Sequence, residues 1–372
     1  MRLNIFITLS FCFWLEGHGQ PLPAHHIQVF DQLIDQYQLK HHFSGVVLVA
    51  RRNQVIYSSV RGFADQNRGI VNTLDTPFLI GSTTKSFTAI TILQLVDAGV
   101  LDLHSPIGEY LPELREDLGN QLTLHWLLRM SSGLPGHLNQ VTELSYKDLE
   151  PHELLHHINN CSLTFKPGTQ YAYSNLNYQL AALIATRVSG KLMETLLAEQ
   201  TFQPLNMQQS GSGRTQQVPA ELALGHNYDS AANQVELATQ NYLGHAIGSG
   251  DIYSTASDLF RWDQALYYSQ AYLSPSSNAL LLSGNEDSYG GYGYGFRTRR
   301  YVGEDIHDTG KLVRHGGSML GYLANINRYL DDELTIIVLT NIRPFPIQDL
   351  TFDIKEIYFG RAPGRANKSY VY

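Results

Sequence analysis

Cysteine is nearly missing from this chain: its 372 residues include two, Cys12 and Cys161. Cys12 lies in an apolar N-terminal stretch read below as a cleaved leader. One thiol then remains, no intrachain disulfide can form, and the fold must be held by its core. Cys161 reads as a small buried hydrophobe. Charge is sparse too, with 16% Asp, Glu, Lys and Arg and a formal net charge of -8. No basic run or stripe occurs, which argues against a nucleic-acid partner and against attachment to an anionic membrane surface. There is no apolar run of the about 20 residues needed to cross a bilayer, no internal repeat and no low-complexity tract. What is present is globular: 43% of the residues are hydrophobic, in a chain long enough for one large domain or two ordinary ones.

Arg2 precedes an apolar run over residues 5–15, and Gly17 and Gly19 offer small residues for cleavage before Gln20. This pattern predicts a secretory signal peptide over residues 1–19, hence a periplasmic or extracellular protein with no stable membrane anchor after cleavage. Phe11 ahead of Cys12 is bulkier than lipoprotein processing usually accepts.

Apolar residues Ile27, Phe30, Leu33, Ile34 and Tyr37 recur at helical spacing and predict an amphipathic helix over 25–43. Residues 46–50 and 55–60 predict a hairpin whose first strand is buried on both faces. From Ser82 a helix follows that is apolar around most of its circumference and therefore central, with Gly99 as its C-terminal stop and Val100 making the accompanying apolar contact. Between 105 and 245 strand signals fade and short helical stretches alternate with Pro- and Gly-marked loops. Strands return at 312–315, 321–330 and 334–339, and 347–359 reads as a closing helix. The expected fold class is α+β: an antiparallel sheet formed by N- and C-terminal segments and flanked by helices, with a mostly helical insertion. The expected division is a sheet domain of 20–104 and 246–372 and a helical domain of 105–245.

Three short patterns carry chemistry. Ser82-Thr83-Thr84-Lys85 places a hydroxyl and an amine one helical turn apart on one face, so the amine can activate the serine without a histidine. The plain alternative is a helix start with Ser82 as its cap and a solvated Lys85. Tyr173-Ser174-Asn175 follows the Pro167-Gly168 turn and leads into an apolar stretch, so a tyrosine and an amide can point into one cavity; alternatively Asn175 is a helix cap. His315-Gly316-Gly317-Ser318 ends a strand with two residues that lack side chains, which lets a substrate or a second backbone approach, or else marks a bulge. Each pattern, Ser-x-x-Lys, Tyr-x-Asn and His-x-Gly, occurs once.

In this order the patterns resemble the motif set of the serine β-lactamase and penicillin-binding-protein superfamily, specifically its class C-like branch of β-lactamases, D-alanyl carboxypeptidases, D-aminopeptidases and esterases. The likeness runs over about residues 25 to 360. It includes Thr76-Pro77-Phe78, Tyr110-Leu111-Pro112, the Ser131–Pro135 loop, Pro204-Leu205-Asn206-Met207, Ser254-Thr255-Ala256-Ser257-Asp258 and Tyr292-Gly293-Tyr294-Gly295-Phe296. The resemblance implies a β-lactamase/transpeptidase-like fold and acyl transfer on Ser82, with Lys85 and Tyr173 sharing the role of base. It places the oxyanion hole at the backbone N–H groups of Ser82 and Ser318. Asn175 is expected to orient Lys85 and hold the substrate amide, while His315, Gly317 and Ser318 contact the substrate. No cofactor or metal is implied. The expected substrate is a D-amino-acid peptide or an ester, with a β-lactam or cell-wall peptide as related possibilities.

Two features depart from that pattern. His315 stands where many β-lactamases have lysine, which favours a peptidase or esterase over a β-lactamase proper. A protonated His315 would bind a substrate carboxylate, with KM rising through about pH 6.5. Arg314, its strand neighbour, is expected on the opposite face. The second departure is Gly81 immediately before the serine.

Two readings of another class remain. His152-Glu153-Leu154-Leu155-His156 matches a zinc-peptidase pattern, with Glu194 or Glu199 as a third ligand. Against it, Pro151 marks a helix first turn, and Leu154, Leu155 and Ile158 form an apolar stripe that leaves the histidines on the surface. The other is a non-catalytic sensor of cell-wall fragments or β-lactams.

Overall fold

A computed structural model describes residues 24–140, 149–212, 218–232, 234–269, 272–284, 289–303 and 309–368; the expected signal peptide lies outside them. Helix α1 (Ala24–His41) leads into β1 (Gly45–Arg51) and β2 (Gln54–Arg61), and helix α2 (Thr84–Asp97) follows. Along the rest of the chain come α3 (Pro151–Asn159), α4 (Asn175–Ser189), a hairpin of β3 (His226–Asp229) and β4 (Gln234–Leu237), and α5 (Ala256–Tyr268). The chain closes with β5 (Arg297–Val302), β6 (Thr309–Met319), β7 (Tyr322–Tyr329), β8 (Leu334–Thr340) and α6 (Ile347–Tyr358).

The main sheet has the order β5-β6-β7-β8-β1-β2, with every neighbouring pair antiparallel. Its middle is the pairing of the first strand with the last, Gly45 facing Thr340 and Arg51 facing Leu334. The fold is thus α+β, with the two chain ends completing one sheet. Strand β1 is buried on both sides because its residues alternate between two cores. Val46, Leu48 and Ala50 join α2, α4 and α5 on one face, whereas Val47 and Val49 pack with Phe30, Ile34, Leu350 and Ile354 of α1 and α6 on the other.

The first of these cores runs unbroken from the sheet into the helical part, where Leu124, Leu154, Ile158 and Cys161 belong to it. Helix α2 is buried along nearly its whole length, as its all-round apolarity predicts. It ends at Gly99, whose φ of +71° needs a residue without Cβ. Val100 is 45% exposed, so the expected apolar contact after the stop is weak. The 105–245 segment also contains strands that the sequence hides. The β3–β4 hairpin pairs in parallel with Ile342–Arg343, and its residues are exposed or half-exposed, so no alternation betrays it. Edge strand β5 carries no strand signal for the same reason: four of its six residues, Arg297, Thr298, Arg299 and Arg300, are polar.

Candidate active site

The nucleophile candidate sits on a turn rather than on the helix proper. Gly81–Thr83 forms a 3-10 turn that runs directly into α2. The continuous right-handed backbone keeps Ser82 and Lys85 on one face, and Lys85 Nζ lies 3.0 Å from Ser82 Oγ. Neither bland alternative holds: the residue at the cap position of α2 is Thr83, with Ser82 inside the preceding turn, and Lys85 is 0% exposed. The amine also donates to the Ser249 carbonyl at 2.6 Å. Burial pushes the Lys85 pKa well below its ordinary value, partly offset by the buried Asp251. Burial thus favours the neutral form of the amine, the form that can accept a proton.

Tyr173 lies between Pro167-Gly168 and α4. Its segment is pinned by Ala172 N–H to Met130 O, Gly168 N–H to Ser131 O and Asn175 N–H to Gly136 O, so the Ser131–Gly136 loop sets its position. The Tyr173 hydroxyl is hydrogen-bonded with Ser82, and burial raises its pKa far above the ordinary tyrosine value. The Lys85 ammonium-forming nitrogen stands 5.1 Å from the centre of its ring. Burial therefore disfavours the charged form of both candidate bases, the ammonium of Lys85 and the phenolate of Tyr173.

Asn175 is placed differently from expectation. Ser174 occupies the cap position of α4 and gives its hydroxyl to Pro135 O at 2.6 Å. The Asn175 amide pairs with His137 Nδ1 at 2.9 Å rather than with Lys85. Its Oδ1 is buried and has no protein partner, leaving an acceptor of the kind a substrate N–H satisfies.

Ser82, Tyr173, His315, Gly316, Gly317 and Ser318 line one cleft of about 370 Å3. Its wall depends on two glycines. Gly81 has φ +50°, and a Cβ there would fall 2.6 Å from Ser318 N; a Cβ on Gly317 would fall 1.7 Å from Ile80 O and 3.0 Å from Ser82 N. Only bare backbone lets β6 come this close to the nucleophile turn, and the approach puts the Ser82 and Ser318 amides side by side. Gly81 thus has a steric reason the sequence did not reveal.

His315 corrects an expectation. It is buried, and burial together with Lys85 drives its pKa down to about 3. Its Nδ1 lies 2.8 Å from Gly316 O, which can only accept, so Nδ1 carries the proton and Nε2 accepts from the Tyr292 hydroxyl at 2.9 Å. A neutral imidazole with both nitrogens engaged is no cationic carboxylate site. Positive charge comes instead from Arg297 and Arg314, which also line the cleft. They sit opposite each other on β5 and β6. Arg297 packs against Tyr171, Tyr173 and Tyr292 and donates to the Tyr171 hydroxyl at 2.6 Å. Arg314 lies on the face of β6 opposite to His315, as expected, where its guanidinium donates to Gln348 Oε1 at 3.2 Å; the cleft is broad enough to take in that flank of β6. Arg297, His137 and Ser249 carried no sequence signal that singled them out, and Tyr292 stood out only as part of the Tyr292–Phe296 stretch.

The zinc-peptidase pattern lies on α3. His152 and His156 are exposed, Leu154 and Ile158 face the core, and the Glu153 carboxylate accepts the Glu150 N–H at 2.9 Å. Glu199 is paired with Lys191. Among the described residues no three His, Cys, Asp or Glu side chains are grouped to hold a metal. Cys161 is buried and unpaired, and its thiol pKa is pushed up to about 11.

Comparison with known proteins agrees with this architecture. Penicillin-binding protein 4* of Bacillus subtilis (strain 168) is 28% identical over 333 residues, 85% of this chain and 71% of that protein. A second protein of the same organism is 29% identical over 260 residues, of which the chain spans 64% of the relative's length. Protein flp of Staphylococcus aureus is 26% identical over 203 residues, and there the chain spans 41%. Among solved structures, D-amino acid amidase from Ochrobactrum anthropi SV3, complexed with D-phenylalanine, superposes with a TM-score of 0.77 at 22% identity, covering 91% of this chain and 99% of that one. The octameric penicillin-binding protein homologue from Pyrococcus abyssi gives 0.76 at 23% identity, covering 91% and 78%. These two likenesses concern the fold. The Beta-lactamase family model matches residues 30–356, and the chain therefore belongs to the Beta-lactamase family, within the serine β-lactamase and penicillin-binding-protein superfamily.

Proposed function

We propose that this protein is an exported serine hydrolase that cleaves an amide or ester bond through an acyl-enzyme on Ser82, and that its substrate is a D-amino-acid peptide or a related ester. The observation that carries the reading is the 3.0 Å contact between Ser82 Oγ and a fully buried Lys85 amine. As the Ser82 Oγ–carbon bond forms, the hydroxyl proton passes to the Lys85 nitrogen and from there to the leaving nitrogen or oxygen. Tyr173 hydrogen-bonds the reacting oxygen and serves as a relay: it gives its phenolic proton to the leaving group as it takes one from the Lys85 ammonium, and so ends neutral. The amides of Ser82 and Ser318 receive the oxyanion; each such donor is typically worth about 3 kcal/mol in the transition state. Water, deprotonated by the same amine, then releases the acyl group.

Two observations favour a D-amino-acid substrate with an anionic leaving side. Arg297 and Arg314 bring positive charge to the cleft of a chain whose net charge is -8, and Asn175, two residues from Tyr173 though outside the cleft lining, has a buried Oδ1 with no protein partner. The penicillin-binding and D-amino acid amidase names of the relatives point the same way. The test is hydrolysis of D-alanyl-D-alanine peptides, D-amino acid amides, p-nitrophenyl esters and a penicillin by the wild type and by Ser82→Ala. The reading expects turnover of a D-peptide, amide or ester that Ser82→Ala abolishes. Rapid turnover of penicillin alone would make the protein a β-lactamase, and a stable penicillin adduct without any turnover would make it a sensor.

A further inference from the structure

The buried acid behind Lys85 has no part in the mechanism above, yet the fold builds a small structure around it. Asp251 is 1% exposed. One oxygen accepts the Gly248 N–H at 2.8 Å, and the other accepts the Ser212 hydroxyl. Between the ends of this clamp lies Ser249, whose carbonyl receives the Lys85 amine. The turn is tied on its other side by Thr88 Oγ1 of α2 to Gly248 O at 2.7 Å. Gly248 itself has φ +66°, and a Cβ there would meet Ala182 at 2.5 Å. Directly after Asp251, Ile252–Ser254 pairs with Phe78–Leu79, the strand that leads into the Ser82 turn, and with Gly211–Ser212. The carboxylate therefore stands where the Lys85 clamp, the nucleophile turn and Ser212 meet.

We propose, building on the function above, that Asp251 is the positioning residue of Lys85: it fixes the 248–251 turn so that the Ser249 carbonyl holds the amine against Ser82, and it supplies the amine's buried counter-charge. A buried carboxylate exacts a desolvation cost of several kcal/mol, and a purely structural link between Ser212 and Gly248 would not need a charge. Its pKa is pushed up to about 7 by burial, with Glu194 adding to the rise and the Ser212 and Gly248 hydrogen bonds opposing it. On the Lys85 side, Asp251 raises the amine's proton affinity while burial lowers it. The other titratable groups facing the amine are Tyr173, His137 and His315; burial first, and the charged form of Lys85 second, lowers the pKa of both histidines.

The test is a pH titration of the lysine side-chain 13C signals in wild type, Asp251→Asn and Ser212→Ala, with the Lys85 signal identified by its loss in Lys85→Arg. Asn removes the charge, keeps an acceptor for the Gly248 N–H and reverses the Ser212 contact so that the amide NH2 donates to the hydroxyl oxygen; Ser212→Ala removes a bond that stabilises the carboxylate. Both variants are expected to lower the Lys85 midpoint, Asp251→Asn by at least about half a unit. Lys85 signals that match the wild type at every pH in both variants overturn the proposal. The readout does not depend on catalysis, so a protein that fails to acylate sinks the proposed function and leaves this result standing.

Discussion

A neutral His315 changes what a pH titration of the enzyme shows. With its pKa near 3, the imidazole does not change charge between pH 5 and 8, so KM for a carboxylate-bearing substrate is expected to stay flat through pH 6.5 in steady-state assays. A KM that climbs there would restore a cationic histidine. The charge is assigned instead to Arg297, and Arg297→Gln should raise KM for a D-peptide with a free carboxylate by roughly 10- to 100-fold, the value of about 1.5–3 kcal/mol typical of a hydrogen bond to a charged group. An ester without a carboxylate serves as the control and should lose little. The glycines give a third expectation. Gly317→Ala places a methyl against Ile80 O and the Ser82 amide, so kcat should fall by roughly 100-fold, as for loss of one oxyanion donor, with the folded state retained in circular dichroism. Ser82, Lys85 and Tyr173 were legible because their chemistry depends on residue type at short spacing. Arg297 was not: an arginine on a polar edge strand looks like any solvated charge until the fold lays it beside Tyr171 and Tyr173. Nor did the sequence reveal that Asn175 would pair with His137, since that contact joins two loops.

At the scale of elements, what could be read followed burial. Strand β1 and helix α2 are inside the molecule, and their apolar residues announce them; β3, β4 and β5 lie at edges and carry polar residues that obey no period. The one apparent rival motif was settled by helix geometry. In α3 the residues facing inward are Leu154 and Ile158, and His152 and His156 point to solvent, so His156→Ala should leave hydrolysis within about twofold of wild type, and incubation with a chelator should not reduce activity. Loss of activity on chelation would contradict this account of α3. Helix α5 meets α2 near the site through one aromatic stack. Trp262 stacks on Phe87 with ring centres 4.2 Å apart and reaches Phe296 at 5.9 Å. Trp262→Ala is expected to cost about 3–5 kcal/mol, seen as a lowered midpoint in chemical denaturation; a change below about 1 kcal/mol would mean that α2 is held mainly by the sheet.

The whole molecule explains why the site needs so much of the chain. Its first and last strands pair at the middle of the sheet, one core passes from that sheet into the helices, and the cleft opens where β6 meets the turn before α2. The antiparallel sheet and its closing helix could be expected from the ends of the sequence alone, because strands and helices there keep clear periods. The way the helical segment shares the sheet's core could not, since it depends on contacts between residues far apart in the chain. Cys161, the one cysteine among the described residues, is buried with its thiol pKa raised to about 11, and the same core that stabilises the fold also strips water from Lys85. That link between packing and chemistry rests on one reactive atom, and intact-protein mass spectrometry after exposure to a fluorophosphonate tests it most directly. The account predicts a single stoichiometric adduct on the wild type that is absent from Ser82→Ala and strongly slowed in Lys85→Ala. A wild-type protein that takes no adduct, or a Ser82→Ala variant that takes the same one, would contradict it.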